Sequence, residues 1–275
     1  MPELPEVETI VHGLNSCLAG RRIKELIFLS PHLKNKQPPS ALRPEAYRAL
    51  KIDKIWRRGK MIVFSFQDRR GLLIHLRMTG QLYLAEPNQP LDRHTHARMT
   101  FLKLRRELRF RDIRKFGFLC CLEMGEIEKR LKAELGPEPL DIELREFLER
   151  LKQHGKKRLK GWLLDQKIIA GIGNIYSDEI LFRAGLLPER KAGSLSLAEA
   201  KKFWRAMRSI LKRAIELKGS SISDYVDSTG QRGEFQKQHR VYGRKGELCF
   251  RCRRGRIEKK KICGRSSFFC PVCQS

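Results

Sequence analysis

Four cysteines stand in two pairs near the end of the chain, Cys249-x2-Cys252 and Cys270-x2-Cys273, with 17 residues between the pairs. Each pair can present two thiolates from one tight turn, and two such knuckles at this separation suit tetrahedral zinc. The last 30 or so residues are therefore expected to form a small metal-stapled module. All four positions are cysteine, which leaves no coordination position for a substrate, so the expected ion is one structural Zn2+. The competing reading is four buried thiols without metal. Cys263 lacks a CxxC partner and stays outside the ligand set. Cys17, Cys120 and Cys121 show no disulfide-framework spacing. This usage suits a reducing compartment, with metal ligation and buried thiols in place of disulfides.

The module also carries Arg251, Arg253, Arg254, Arg256, Lys259, Lys260, Lys261 and Arg265. A stapled hairpin this basic is expected to lie on phosphates; the plainer alternative is a solvated basic face. The whole chain points the same way. Its 58 Lys and Arg against 31 Asp and Glu leave a net charge of +27, which attracts polyanions, nucleic acid first among them. An anionic membrane surface is the other candidate. No apolar run approaches the roughly 18 residues that a membrane span needs. The opening MPELPEVETI lacks the basic-then-apolar pattern of a secretory signal, so the expected location is cytoplasmic. With 41% hydrophobic residues the chain can build a core, and 275 residues allow one large domain or two ordinary ones.

Hydrophobic periodicity divides the chain in two. Leu4, Val7, Ile10, Val11, Leu14 and Leu18 recur at helical spacing, which predicts a helix over 2–18 with Glu3, Glu6 and Glu8 complementing its dipole. Short β-like runs follow at 60–66, 71–78, 97–104, 107–112 and 116–122, a spacing that suggests an antiparallel sandwich or barrel. Gly136-Pro137-Glu138-Pro139 reads as a linker, and the pattern beyond it is helical. The clearest helix starts at Ser196 with Glu199 completing a capping box. Leu197, Phe203, Trp204, Met207, Ile210, Leu211 and Ile215 line one face, and Gly219 is placed to stop it. The polar stretch 220–233 reads as a mobile loop.

Removal of Met1 would make Pro2 a terminal secondary amine. Such amines titrate near pH ~8, so a useful fraction is unprotonated at neutral pH and can attack a sugar anomeric carbon to form an iminium. Glu3 beside it can shuttle protons. Taken alone, the pair reads more simply as a helix start.

Six segments change that reading: MPELPEVET at the start, RRGK (57–60), HLRMTG (75–80), DIRKFG (112–117), GIGNIY (171–176) and GRSSFFCPVCQ (264–274). Together and in order they resemble the formamidopyrimidine-DNA glycosylase family over essentially the whole chain. The resemblance implies an α+β fold. An antiparallel β-sandwich with an N-terminal helix would occupy 1–135, a helix-two-turn-helix domain 136–238, and a four-cysteine zinc finger 239–275, with a lesion-covering loop near 220–233.

The resemblance also implies roles. Pro2 is the nucleophile, Glu3 the general acid/base, and Lys60, on a β-hairpin, a further catalytic group. Met78, Arg114 and Phe116 fill the gap left by a flipped-out base: the apolar pair replaces lost stacking and the arginine bonds the orphaned base. On a strand, the i, i+2 spacing of Arg114 and Phe116 would put both on one face, and core packing is the alternative for Met78 and Phe116. Asn174 binds backbone phosphate, and His94 and one of Lys156 and Lys157 match further DNA-contact positions, with His75 beside the phosphate site. Arg265 holds the phosphates flanking the lesion and assists the later elimination. The implied partner is double-stranded DNA carrying oxidised bases or abasic sites, bound by a monomer. The implied reaction is excision followed by β,δ-elimination, without a redox cofactor.

MPELPEVET sits closer to the oxidised-purine branch than to the endonuclease VIII-like branch, which takes oxidised pyrimidines. Ser220, Ser221 and Ser223 keep the hydroxyls that many members carry as threonines near the loop's start. An alternative from another class is a zinc-ribbon DNA-binding protein without catalysis.

Overall fold

The structure, a computed structural model, describes residues 1–221, 227 and 230–275, so Ser223 and the middle of the 220–233 segment lie outside the described residues. Contact density divides the chain differently from the three segments above. One unit comprises Met1–Ala133 with Leu217–Glu234, the other Glu134–Glu216 with Phe235–Ser275.

The first unit opens with helix α1 (Leu4–Leu18), followed by strand β1 (Ile23–Phe28) and a one-turn helix α2 (Pro31–Lys34). Seven further strands follow: β2 (Ile52–Arg58), β3 (Met61–Phe66), β4 (Arg70–His75), β5 (Gly80–Ala85), β6 (Thr95–Phe101), β7 (Leu104–Asp112) and β8 (Phe118–Glu123). They form two four-stranded antiparallel sheets, ordered β1-β6-β7-β5 and β2-β3-β4-β8. One apolar core joins them, drawing Leu26 and Phe28 from the first sheet, Ile62, Phe64 and Ile74 from the second, and Val7, Ile10 and Leu14 from α1. Each such buried side chain stabilises the fold by about 1.5–3 kcal/mol.

The strands missed from sequence, β1, β2 and β5, are all sheet edges. β1 and β2 carry charge and are bulged, at Ile23/Glu25 and Ile52/Lys54, which breaks the two-residue alternation. The expected single strand over 97–104 is two strands, because Lys103 turns the chain at φ +57°. The expected helix over 2–18 starts at Leu4: Glu3 is its N-cap, Pro5 the proline of its first turn, and Pro2 lies outside it.

The second unit holds α4 (Leu144–Gln153), α5 (Leu159–Leu164), α6 (Asn174–Ala184), α7 (Leu197–Glu216) and the hairpin β9 (Glu258–Ile262)–β10 (Arg265–Phe269); α3 (Met124–Glu134) precedes it. Edge-to-face contacts of Phe147 with Trp162 at 5.3 Å and with Phe203 at 5.4 Å knit α4, α5 and α7 together. The Ser196–Glu199 capping box is present, with both reciprocal bonds made. Two expectations for this helix fail. Leu197 is 58% exposed, and the helix ends at Glu216, ahead of Gly219. The Gly136–Pro139 segment is docked and not a free tether: Gly136 N–H donates to Gln166 O (2.8 Å) and Ala170 N–H to Pro137 O (3.0 Å). Among the described residues, no helix is long and apolar enough to cross a membrane.

Candidate functional site

In the first unit, the N-terminus is built around one carboxylate that the sequence reading had assigned only to the helix dipole. Glu6 Oε2 accepts the Glu3 N–H (2.8 Å) and Oε1 accepts the Ser220 N–H (2.7 Å). Glu6 thereby ties the residue after Pro2 to the start of the 220–233 segment. Gly219, at φ +78°, permits this, since a Cβ there would stand 2.6 Å from Glu6 Oε1. The signal available in sequence was Glu-x-x-Glu, a capping box with glutamate in place of serine.

Helix α1 is also fastened to β2. Arg57 Nε donates to Glu8 Oε2 (2.6 Å) and Ile55 N–H to Asn15 Oδ1 (2.8 Å). Strand β2 turns into β3 through Gly59 and Lys60, with Gly59 at φ +56° supplying the left-handed residue of a two-residue hairpin. Lys60, the expected catalytic lysine, is therefore a buried turn residue and not the start of a strand.

Lys60 and His75 act on each other, because Met61 pairs with His75 across β3 and β4. Burial, then the charges of Arg77, Lys60 and Arg130, push the His75 pKa down to about 3. The Arg77 N–H donates to His75 Nδ1 (2.8 Å), which assigns the ring proton to Nε2. His75 is thus a neutral hydrogen-bond donor. The unfolded chain protonates this ring near 6.5, so its contribution to stability is complete above that pH and is lost as pH falls toward 3. The expected loss reaches up to about 3 kcal/mol at pH ~4. Denaturant midpoints measured from pH ~7 to ~4 check this: His75→Gln should flatten the decline, and an unchanged slope would contradict it.

Met78, Arg114 and Phe116 converge. Strand β4 ends at His75, and Arg77 at φ +53° lifts Met78 out of the sheet. Arg114 and Phe116 lie in the β7–β8 loop, not on a strand, so a shared strand face is not what unites them. Arg114 Nη1 approaches Met78 Sδ (3.2 Å), and its guanidinium sits 4.7 Å from the Phe116 ring centroid. Met78 is 42% and Phe116 48% exposed, which excludes core packing for both.

Asp112, missed in sequence although it heads DIRKFG, joins the two loops from full burial. Its Oδ1 accepts from the Thr79 hydroxyl and the Arg114 N–H, and its Oδ2 accepts from the Gly117 N–H (2.7 Å). The Asp112 N–H donates to the carbonyl of His94 (3.0 Å), which brings His94 to the root of the same loop.

In the second unit, α5, two turns and α6 follow in succession. Asn174 opens α6, where the helix N-terminus favours anions, and its Oδ1 is buried without a partner among the described residues. Lys157 pairs with Asp165 (2.6 Å); Lys156 is exposed and in no ion pair among the described residues.

The four cysteine sulfurs lie within 4.8 Å of one another, with Cys249–Cys273 at 3.7 Å and Cys252–Cys270 at 3.8 Å. A tetrahedral ion with Zn–S bonds of ~2.3 Å places its sulfurs about 3.8 Å apart, so the donor set fits. The N–H groups of Arg251 and Gly255 point at Cys249 Sγ and Cys252 Sγ, and the N–H groups of Gly255 and Arg254 bring the Cys252 thiol down to about 6. These four residues can hold a metal ion. Cys263 lies outside them: with Gly264 it forms the hairpin turn, both at positive φ, the type I′ pattern. Arg265 follows, exposed at the start of β10. Three other basic residues of the module have internal partners: Arg251 on Phe182 O, Arg256 on Gly246 O and Lys260 on Glu189.

The module is anchored by buried charges on α6 that the sequence reading did not single out. Asp178 accepts from Lys160 Nζ (2.6 Å) and from the Phe268 N–H of β10 (3.0 Å), while Glu179 accepts the N–H groups of Arg240, Val241 and Tyr242. Burial raises the Asp178 pKa and Lys160 opposes it.

Residues 1–119 match the family model described as the formamidopyrimidine-DNA glycosylase N-terminal domain, and 135–226 match the model of that enzyme's H2TH domain. The chain belongs to the formamidopyrimidine-DNA glycosylase family. A formamidopyrimidine-DNA glycosylase of Carboxydothermus hydrogenoformans is 44% identical over 276 residues, covering all of both chains. Among solved structures, Lactococcus lactis Fpg in complex with abasic-site DNA aligns with a TM-score of 0.89 at 34% identity, over 99% of each chain. The same protein bound to DNA containing N7-benzyl-Fapy-dG aligns equally well, over 100% of each. The sandwich, the helix-two-turn-helix and the cysteine cluster are thus those of this glycosylase family.

Proposed function

We propose that this glycosylase removes oxidised purines, 8-oxoguanine and formamidopyrimidines, from double-stranded DNA and then cuts the strand at the resulting site. The observation that carries this reading is the exposed Met78–Arg114–Phe116 cluster, which suits the space a flipped base vacates. Removal of Met1 frees the Pro2 nitrogen. Its lone pair attacks the deoxyribose C1′, the glycosidic bond breaks, and the base leaves with the bonding pair and takes up a proton. The nitrogen then loses its own proton, its lone pair opens the C1′–O4′ bond, and O4′ leaves with the bonding pair and takes up a proton, leaving an iminium. Loss of sugar protons next expels the 3′ and 5′ phosphates in turn.

Glu3 moves the protons. Lys60 keeps the Pro2 amine unprotonated by like-charge repulsion and holds phosphate. His75, through Nε2–H, His94, Lys156, Asn174 and Arg265 hold the backbone; Lys157, engaged with Asp165, is the less available of the lysine pair. One structural Zn2+ on Cys249, Cys252, Cys270 and Cys273 staples the hairpin that presents Arg265. The protein acts as a cytoplasmic monomer, in keeping with thiols suited to metal rather than disulfides.

Single-turnover excision from defined duplexes tests the substrate class. 8-Oxoguanine opposite cytosine and a formamidopyrimidine should be released at least about tenfold faster than thymine glycol, a margin within reach of a hydrogen-bonding pocket. The reverse order would move the protein to the oxidised-pyrimidine branch.

A further inference from the structure

We propose that Lys36, which lies outside every motif discussed above, is the positioning residue that sets the Phe116 loop for base extrusion; this rests on the wedge reading of that loop. Lys36 Nζ donates to three consecutive carbonyls, those of Lys115 (2.8 Å), Phe116 (3.0 Å) and Gly117 (3.0 Å). A lysine ammonium has three N–H donors, and all three are spent on one loop. Consecutive carbonyls turn to one side only when the backbone curls, and Lys115 sits at φ +57°, a strained conformation for a residue with a Cβ. Such strain persists where surrounding contacts over-determine it. Asp112 takes the loop's N–H groups, from Arg114 and Gly117, while Lys36 takes its carbonyls. The loop is thereby gripped by an anion through its donors and by a cation through its acceptors.

The cation has a firm footing. The Lys36 carbonyl accepts from Cys120 Sγ (3.8 Å). Its neighbour Gln37 donates to Leu119 O (2.7 Å) and accepts from the Cys121 N–H (3.2 Å), so the segment is bonded along β8. A wedge that enters stacked DNA must resist being pushed back. Arg114 and Phe116 are exposed, and Arg114 leans on Met78 and the Phe116 ring, so the resistance comes from the backbone beneath them. Lys36 supplies it through the three backbone carbonyls alone.

Three substitutions and two substrates test this: Lys36→Met, Lys36→Arg and Phe116→Ala, each on a duplex with one 8-oxoguanine opposite cytosine and on a single-stranded oligonucleotide with one abasic site. Extrusion is followed by stopped-flow fluorescence of 2-aminopurine beside the lesion. Lys36→Met should slow extrusion and duplex excision roughly 10- to 100-fold, as expected for loss of charge-assisted hydrogen bonds. Cleavage of the single-stranded abasic site, which needs no wedge, should stay within about twofold of the parent, and Lys36→Arg should recover most of the duplex rate. In a Phe116→Ala background, Lys36→Met should add less than about twofold, because the two act as a unit.

A slow Phe116→Ala beside a Lys36→Met of parental rate would retain the wedge and overturn the role of Lys36. A Phe116→Ala of parental rate would overturn the wedge itself. Equal loss by Lys36→Met on both substrates would reduce Lys36 to a general structural residue and also overturn the proposal.

Discussion

A chain extended by two residues ahead of Pro2 is expected to give no borohydride-trapped adduct with a duplex carrying 8-oxoguanine opposite cytosine, while the mature protein gives one. In the extended chain the Pro2 nitrogen is a tertiary amide whose lone pair is delocalised into the carbonyl, so it cannot attack C1′. The loss should be at least about a thousandfold in trapping and excision, the scale seen when a nucleophile is removed. Added residues need not harm the fold. Met1 already precedes Pro2 and is 46% exposed, and helix α1 starts beyond both, at Leu4. Affinity for undamaged duplex should therefore survive, which separates lost chemistry from lost structure. Adduct formation by the extended chain would eliminate the proline amine as nucleophile. Intact mass should show Met1 absent from the active protein.

Cys249→Ser is expected to release the metal and to lower affinity for damaged duplex at least about 100-fold, because binding of a structural ion is largely folding free energy for the module it staples. Cys249 is fully buried and packs with Phe182, Val241, Ile257 and Phe268, so losing its thiolate opens the module's core along with its coordination. The consequence should be local. Pro2, Glu3 and Lys60 belong to the other unit, and the Lys160–Asp178 pair with the Glu179 cradle hold α6 without the ion. Metal content by mass spectrometry, paired with binding isotherms, checks both halves. Tight, damage-specific binding by a metal-free variant would remove zinc from the account. Cys263→Ser, at the exposed hairpin turn, should retain metal at the parental level.

Much of this protein is legible in a single chain because the constraint is local. Two CxxC knuckles need only their own spacing, and the four sulfurs do converge. The Ser196–Glu199 box is complete within four residues, and the apolar stripe of α1 faces the core as its periodicity requires. The motifs brought the family with them, and the matches over 1–119 and 135–226 bear it out.

Legibility ended where a residue's role depends on distant partners. Strands β1 and β2 were missed because each carries charge on its open face and a bulge breaks its alternation. Met78 and Phe116 read as strand residues in HLRM and FGFLCCL, yet positive φ at Arg77 and Lys115 takes them off the sheets and leaves them exposed. Lys160, Asp178 and Glu179 look like ordinary surface charges in sequence. Burial of an ion is costly unless its partner is in place, and here those partners come from 18 to 90 residues away.

The amino-acid order by itself determined the cluster of four cysteines, the polyanion-seeking charge and the family. The tertiary structure alone decided that Glu6 reaches Ser220, that Lys36 grips the loop Asp112 gathers, and that His75 is neutral. Each of these is a hydrogen bond or a desolvation fixed only when segments remote in sequence pack together, and no local pattern encodes which segments those are.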